Sequence, residues 1–276
     1  MIVELAKDEF YRCTSLLDRA RSIEVNAVIK GSHPGRVFVD DRFEPKTALV
    51  WLGNIGRSFL VGDEQNKSFN EGLNDLIDEH ISEEIQEDFE IMGRTIKWDE
   101  LAVDLFRHRS VGNWKRQVYK LHSQNYLAES EPLLPDAYQV QPLTAERLKA
   151  FDQDGAAQTK LLNFWPTLEA FEEKGVGVGV FHQGELVSFC FSTVIFERTH
   201  AVHMETKEEY RGKNLAQVAA HTYVRACFDK NVIPYWDCRE EDSPSIAIAE
   251  YIGFTKVFTY TGFRFPLKAS KKSSAF

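Results

Sequence analysis

The sequence predicts an α/β (α+β) protein in two parts, because strand and helix patterns alternate along the chain and break once near its middle. In the first part, four apolar strand patterns precede a strongly periodic helix over residues 66–88. In the second part, a hairpin pattern over residues 175–194 precedes another strand and helix. The 276 residues, 43% of them hydrophobic, supply ample material for a core.

Composition narrows the functional class. The net charge of −9 argues against a nucleic-acid partner, because general nucleic-acid binders usually present a basic face. No apolar run approaches the length of about 20 residues that a membrane span needs, and the first residues do not resemble a secretory signal. The cysteines show no paired spacing, which predicts reduced thiols in a cytoplasmic protein. They are Cys13, Cys190, Cys227 and Cys238.

The first part begins with an amphipathic helix predicted over Leu5 to Arg21. Four strand candidates follow at residues 23–29, 35–41, 47–52 and 58–63. Asp40 and Asp41 suggest a metal at first sight, but no other ligand flanks them at useful spacing. We therefore assign this pair to the end of a hairpin and expect no metal.

The helix over residues 66–88 carries apolar side chains at three- and four-residue steps, and its acidic end reads as a solvated face. A second helix is predicted from Trp98 to Phe106, followed by a strand from Arg116 to Leu121. The segment Leu127 to Tyr138 holds two prolines and few packing residues, which indicates a domain boundary. The predicted domains are therefore residues 1–130 and 138–276.

The second part restarts with a strand over 138–143 and a helix that Thr144 can cap. An aromatic-rich segment, helix or loop, follows over 162–171. Residues 175–181 alternate Gly and Val, but Val180 stands where a dinucleotide loop needs its third glycine and no helix follows. This stretch predicts a strand in a crowded sheet, paired through a tight turn with a strand over 186–194.

The strongest signal for function is a strand, turn and helix around residues 203–216. Arg211, Gly212, Lys213 and Asn214 form the turn before a helix predicted from Leu215. A helix N-terminus offers unpaired N–H groups and partial positive charge, and Gly212 lets the backbone approach a ligand closely. With two cationic side chains, this turn predicts a site for an anion such as phosphate.

This turn resembles the acyl-CoA-binding motif of the GNAT (GCN5-related) N-acetyltransferases, which consists of Arg or Gln, two residues, Gly, one residue, and then Gly or Ala. The motif falls here on Arg211, Asn214 and Ala216. Asn214 departs from the usual Gly, but Asn is the residue that best tolerates left-handed backbone angles after Gly.

A second block strengthens the resemblance. A strand over 233–238 precedes a helix that Asp242 or Ser243 can cap and that ends at Gly253. In GNAT enzymes the corresponding helix starts at an Asn, where Asp242 stands here. The pairs Glu205-Thr206 and Trp236-Asp237 look closest to the zwittermicin A resistance-type branch, whose members carry an extra N-terminal half.

The resemblance implies a GNAT-like mixed, mostly antiparallel sheet flanked by helices, with acetyl-CoA as cofactor. It also implies transfer of the acetyl group to the primary amine of a small molecule by direct attack on the thioester. The residues that would bind acetyl-CoA lie on the strand, the turn and the later helix. They are Met204, Glu205, Thr206, Arg211, Gly212, Lys213, Asn214, Leu215, Ala216, Asp242 and Ser245.

Three residues are candidates for the chemistry. Glu205 is the candidate base, with His203 on the same face of the strand as a second candidate. The Tyr that many family members use as an acid is replaced by Ala249, so Tyr235, Cys238 or water would substitute.

Other interpretations remain open. A protein or peptide amine could be the acceptor, or the chain could be a non-catalytic CoA-binding sensor. The N-terminal half could be a degenerate duplicate of the sheet, a homodimerisation element or a lid.

Overall fold

The computed structural model describes residues 2–17, 22–53, 56–84 and 88–267. By packing, the chain divides into two compact units. The first unit comprises Met1–Arg116 and Tyr260–Phe276, and the second comprises Gln117–Thr259. No helix within the described ranges is long and apolar enough to cross a membrane. All four cysteines are buried and have free thiols.

The first unit contains a sheet in the order β1-β2-β3-β4-β5. The first four strands pair antiparallel, and β4 pairs with β5 in parallel. The strands predicted at 35–41, 47–52 and 58–63 are confirmed as β2, β3 and β4. The ranges are β1 Val3–Glu4, β2 Arg36–Val39, β3 Thr47–Trp51, β4 Arg57–Gly62 and β5 Phe89–Met92.

The helices of the first unit pack on this sheet through a buried apolar cluster that includes Trp51, Phe69 and Trp98. The predicted helix over 66–88 is an α-helix that ends in a π-helical turn at Ile77–Ile81. The α-helices are α1 Ile23–Ile29, α2 Lys67–Leu76 and α3 Ile96–Leu105. The predicted first helix is a 3₁₀-helix over Lys7–Leu16, and residues 18–21 and 85–87 lie outside the described ranges.

The prediction of a strand over 23–29 is wrong, because this stretch is α1. The Ser22 side chain accepts a hydrogen bond from the Val25 N–H at 3.3 Å and so caps the helix. Glu24, in the first turn, is buried and lies 3.2 Å from the Arg94 guanidinium. Capping and this long-range ion pair outweigh the strand preference of a run rich in Ile and Val.

Asp40 and Asp41 form the hairpin end that the sequence predicts. Asp40 Oδ1 accepts hydrogen bonds from the backbone N–H groups of Lys46 and Thr47 at 2.9 and 3.0 Å. Asp41 Oδ1 accepts from Phe43 and Glu44, both at 2.8 Å. These carboxylates stabilise the turn between β2 and β3.

The second unit contains a sheet in the order β6-β11-β10-β9-β8-β7. Strands β7 to β10 form an antiparallel meander, and β10 pairs with β11 in parallel. The ranges are β6 Gly112–Lys120, β7 Tyr138–Pro142, β8 Gly177–His182, β9 Glu185–Phe196, β10 Thr199–Thr206 and β11 Ile233–Arg239. The mostly antiparallel mixed sheet agrees with the predicted fold class.

Helices cover both faces of this sheet. One face carries α7 and α8, packed around the buried Tyr223, Trp236 and Cys190. The opposite face carries α4, α5 and α6, packed around Phe189, Phe191 and Phe171. The ranges are α4 Ala145–Phe151, α5 Ala156–Leu162, α6 Leu168–Lys174, α7 Leu215–Asp229 and α8 Ser243–Ile252. The aromatic-rich segment is thus the end of α5, a loop and the start of α6.

The units differ from the predicted domains at both ends. The segment that reads as a linker belongs to the second unit, where the Leu127 N–H donates to the Ile252 carbonyl at 2.9 Å. Hydrogen bonds hold this segment, and Leu134 and Tyr138 pack against the cluster beneath α7 and α8. The last strand, β12 Thr255–Phe265, enters the first unit at Tyr260, and Phe263 pairs antiparallel with Ile91 of β5.

Gly253, which ends α8, provides a test of this packing. Its φ is +104°, and a Cβ would lie 1.9 Å from the Asn125 carbonyl oxygen. We expect Gly253→Ala to lower the free energy of unfolding by about 2 kcal/mol or more, through backbone strain and displacement of the 123–131 segment. Chemical denaturation measures the change.

Gly184→Ala is the matched control, because Gly184 has a φ of +79° and open space around a Cβ. Its free energy of unfolding should fall only by the amount that backbone strain causes. Equal losses in the two variants would contradict the proposed close packing of Gly253.

Candidate functional site

The two central parallel strands of the second unit separate part of the way along their length. β10 pairs with β11 only from Thr199 opposite Ile233 to Ala201 opposite Tyr235. β10 then continues to Thr206 while paired with β9 alone. One edge of β10 is therefore left without a strand partner over its last residues.

A β-bulge in β9 lies at the point of separation. Along β10, His200 is opposite Ile195 and Val202 is opposite Ser192, so β9 has two residues where β10 has one. Ser192 Oγ lies 2.9 Å from His200 Nδ1 and 3.0 Å from the Tyr223 hydroxyl. Burial, with a smaller effect of Lys230, lowers the pKa of His200 to about 4, so the ring is neutral at pH 7.

Alternate backbone groups of β10 point to this open edge. The Lys207 N–H donates to the Val187 carbonyl of the β9 strand at 2.9 Å. In an antiparallel pair, every second residue points the same way, so His203 and Glu205 also bond to β9. The N–H groups of Met204 and Thr206 consequently point to the edge that β11 has left.

The turn before α7 lies at the end of this edge. Gly212 and Asn214 have φ angles of +74° and +59°, so Asn214 adopts the left-handed conformation that the sequence suggested. Asn214 precedes the first residue of α7, and no side chain caps the helix. The first N–H groups of α7 are therefore available to a ligand.

Charge at this turn favours an anion. Arg211 and Lys213 are exposed, and Arg211 Nε donates to the Thr206 carbonyl at 3.3 Å. That bond places the guanidinium beside the open edge of β10. Leu215 is buried beneath the turn and Ala216 is half-buried in the first turn of α7, whereas residues 211–214 are exposed, so the predicted turn residues form one continuous surface.

Glu205 and His203 lie on one face of β10, as the strand period predicts. His203 Nε2 is 3.6 Å from Glu205 Oε2, and the His203 ring lies 5.3 Å from the Phe191 ring. The carboxylate remains 43% exposed, so water or an amine can reach it. Met204, between them, packs on the opposite face against the α7 cluster.

The surroundings of Glu205 keep it ionised. The neighbouring His203 ring lowers the pKa of Glu205, burial opposes this, and the positive charges of Lys160 and Arg211 lower the pKa further. Because the pKa is lowered, the carboxylate is charged at neutral pH and takes up a proton only below its ordinary range. Its charge suits it to hold a cationic amine or to order a water molecule beside it.

The side chains of residues 201, 203 and 205 lie on one face of the sheet. Tyr235 is paired with Ala201, so it lies on the same face as Glu205. Its side chain is buried, with 5% exposure. Cys238 lies in the cluster beneath α7 and α8, on the opposite face. Of the two candidate acids, only Tyr235 thus shares a face with Glu205.

The side chains of Asp242 and Ser245 are engaged within α8. Asp242 Oδ1 accepts from the Ser245 N–H at 3.1 Å and caps the helix as predicted. The Ser245 hydroxyl accepts from Trp236 Nε1 at 3.1 Å, and Ser245 is buried. These contacts hold α8 on β11, and they occupy the groups predicted to reach the cofactor.

The remaining candidates take structural positions. Ala249 is fully buried in the core beneath α8, whereas Tyr251 is 60% exposed, on the opposite side of the helix. Trp165 is buried, and its indole N–H donates to the Ser192 carbonyl at 2.8 Å. Trp236 packs on Phe254. Trp165 and Trp236 thus belong to the core.

Sequence reasoning missed Lys207. Its Nζ lies 2.7 Å from Asp154 Oδ2 and 2.8 Å from Glu185 Oε1. Its partners lie 22 and 53 residues earlier in the chain, and no local pattern identifies them.

A separate cavity of about 300 Å³ lies at the other end of α7. Its lining includes Val140, Phe171, Thr222 and Lys230 and contains none of the predicted site residues. The predicted site is instead an open groove along a strand edge.

Comparison with known proteins agrees with this architecture. The family model described as GNAT acetyltransferase matches residues 14–263. The chain is 24% identical to the uncharacterized N-acetyltransferase YdfB of Bacillus subtilis (strain 168), over 95% of this chain and 97% of that protein. The chain therefore belongs to the GNAT acetyltransferase family and is an acyltransferase. Members of this family use acetyl-CoA as the acetyl donor.

Solved structures show the same fold over nearly the whole chain. A GCN5-related N-acetyltransferase-like protein from Streptococcus suis 89/1591 is similar with a TM-score of 0.75 and 20% identity, over 94% of this chain and 98% of that one. A tandem GNAT protein from the clavulanic acid biosynthesis pathway is similar with a TM-score of 0.63 and 13% identity, over 98% and 99% of the two chains.

Gly212 tests whether the turn before α7 is the anion site. We expect Gly212→Asp to weaken acetyl-CoA binding by about tenfold or more, because it puts a negative charge where the helix end and two cations favour phosphate. Isothermal titration calorimetry measures the dissociation constant.

The control is Gly31→Asp, because Gly31 has nearly the same φ, +75°, and equally open surroundings, but lies in the first unit. It should bind acetyl-CoA like the wild type. Unchanged binding by Gly212→Asp would exclude this turn as the phosphate site.

Proposed function

We propose that this protein transfers the acetyl group of acetyl-CoA to a primary amine of a small molecule, by direct attack of the amine on the thioester. The observation that carries this proposal is the separation of β10 from β11 beside an uncapped helix N-terminus, with Glu205 on the adjoining face of β10. The edge suits an extended polar ligand that ends in phosphates, and the face suits an amine.

The residues around the edge fit acetyl-CoA. The N–H groups of Met204 and Thr206 would pair with the amide-bearing arm as an added strand does. The turn from Arg211 to Ala216 would hold the pyrophosphate through backbone N–H groups and two cationic side chains. Bound there, acetyl-CoA supplies the acetyl thioester, and its carbonyl carbon is the electrophile.

The protein's own groups then orient the amine and move its proton. Glu205 accepts the proton that the amine must lose before attack, directly or through an ordered water, and His203 holds the carboxylate in place. The Met204 N–H, pointing to the open edge, is a donor for the thioester oxygen as charge develops on it. We assign Tyr235 as the acid for the departing thiolate, because it shares the face of Glu205. Positioning of the two reactants supplies much of the rate enhancement.

Two finer assignments are part of this proposal. The sequences Glu205-Thr206, Pro234-Tyr235-Trp236-Asp237 and Ser245 to Ala249 support membership of the zwittermicin A resistance-type branch. The first unit supports the role of a degenerate second half. Its order of three antiparallel strands, a helix and a parallel strand repeats that of β8 to β11.

One observation favours a second function, that of a CoA-binding sensor. The position of the usual family acid is Ala249, which is fully buried and offers no proton. A sensor would bind acetyl-CoA and transfer no acetyl group to any amine.

Glu205→Gln separates the two functions. We expect kcat/KM for amine acetylation to fall about 100-fold or more, because the amide cannot accept a proton. The dissociation constant for acetyl-CoA should stay within about twofold, since the side chain faces away from the open edge. A primary-amine screen with detection of released CoA thiol gives the rate.

The outcomes are distinct. Turnover by the wild type and its loss in Glu205→Gln supports the enzyme and the role of Glu205. If the wild type binds acetyl-CoA but acetylates no amine, the result would support the function of a CoA-binding sensor. Full activity in Glu205→Gln would remove Glu205 from the chemistry.

A further inference from the structure

Lys207 directly follows the last residue of β10, and its ammonium forms ion pairs within the protein. Its Nζ lies 2.7 Å from Asp154 Oδ2 and 2.8 Å from Glu185 Oε1, and its side chain is only 17% exposed. Burial lowers the pKa of Lys207, but the two carboxylates outweigh it and raise this pKa well above its ordinary range. A charged ammonium held by two carboxylates is a poor ligand for a cofactor phosphate.

Asp154 also organises the start of α5. Its Oδ1 accepts a hydrogen bond from the Ala156 N–H at 3.0 Å. Asp152, two residues earlier, accepts from Ala157 and Gln158 at 3.3 and 2.8 Å. The carboxylate that binds Lys207 thus belongs to the turn from which α5 begins.

Helix α5 covers the face on which Glu205 lies. Its residues Ala157 and Leu161 pack in one cluster with Phe189 and Phe191 of β9. The His203 ring lies 6.2 and 5.3 Å from those two phenylalanine rings. Any amine that approaches Glu205 must therefore pass close to α5.

We propose that Lys207 and Asp154 form a latch that positions α5 over the amine-binding face of β10, with Lys207 and Asp154 as positioning residues. The latch joins the end of the strand that carries Glu205 to the turn that starts α5. Glu185 anchors the ammonium from β9, so Lys207 is fixed at its own end when it binds Asp154. The role in amine binding rests on the proposed function, but the holding of α5 does not.

Such a latch should affect the affinity for the amine acceptor and leave the affinity for acetyl-CoA unchanged. The ion pair joins Lys207 to the turn that starts α5, whereas the groups expected to bind acetyl-CoA point to the edge of β10. Loss of the latch leaves the core contacts of α5 in place but lets its first turn move. The affinity for the amine should fall while the chemical step at Glu205 is kept.

Asp154→Asn is the sharpest test, because the amide keeps an oxygen for the Ala156 N–H and removes only the charge that Lys207 needs. The control is Lys149→Met, which removes the exposed ion pair of Lys149 with Glu169 in the same unit. The first measurement is amide hydrogen exchange of α5 in the full-length protein without ligand. We expect exchange to be about fivefold faster in Asp154→Asn and unchanged in the control.

The second measurement is steady-state kinetics with acetyl-CoA and glucosamine, an amino sugar, as the acceptor probe. We expect the KM for glucosamine to rise about fivefold in Asp154→Asn, with kcat and the KM for acetyl-CoA within about twofold of wild type. Lys207→Arg, which keeps the charge, should recover most of the acceptor affinity that Lys207→Met loses.

Unchanged exchange of α5 in Asp154→Asn would overturn the latch, whatever the activity. Faster exchange with an unchanged KM for glucosamine would overturn its role in acceptor binding. If the wild type acetylates no amine, the proposed function has failed, and the exchange measurement still decides whether Lys207 and Asp154 hold α5.

Discussion

The separation of β10 from β11 after Ala201 is the feature on which the rest of the site depends. A buried strand normally satisfies its backbone groups on both edges, so an open edge in the middle of a sheet is costly unless something replaces the missing strand. The bulge in β9 and the buried contacts of Ser192 with His200 and Tyr223 lie at this divergence. Beyond it, the N–H groups of Met204 and Thr206 point to an edge that β11 does not cover.

In the proposed site, the open edge of β10 binds the cofactor and the adjoining face binds the amine. Backbone groups of even-numbered residues point to the edge, where the uncapped start of α7 and Arg211 favour an anionic cofactor. Side chains of the odd-numbered residues His203 and Glu205 point to the face beneath α5. One short strand could thus hold two substrates side by side, because its backbone groups lie in the plane of the sheet and its side chains point perpendicular to that plane.

The turn before α7 could be predicted from sequence because its physics is local. Asn214 tolerates a left-handed φ, Gly212 allows close approach, and Asp242 caps the next helix three residues before Ser245. Long-range contacts could not be predicted in this way. Residues 23–29 looked like a strand because the run is rich in Ile and Val, whereas the ion pair that favours the helix joins Glu24 to Arg94, 70 residues away. The latch between Asp154 and Lys207 and the docking of Leu127 on Ile252 depend on the fold as a whole.

We propose that the cofactor binds as an extra strand along the open edge of β10. Backbone amide hydrogen exchange, resolved by NMR with and without acetyl-CoA, tests it most directly. Binding should slow exchange at Met204 and Thr206 by about tenfold or more, while His203 and Glu205, already bonded to β9, change little. Acetyl-CoA that binds and leaves the exchange of Met204 and Thr206 unchanged would contradict the claim.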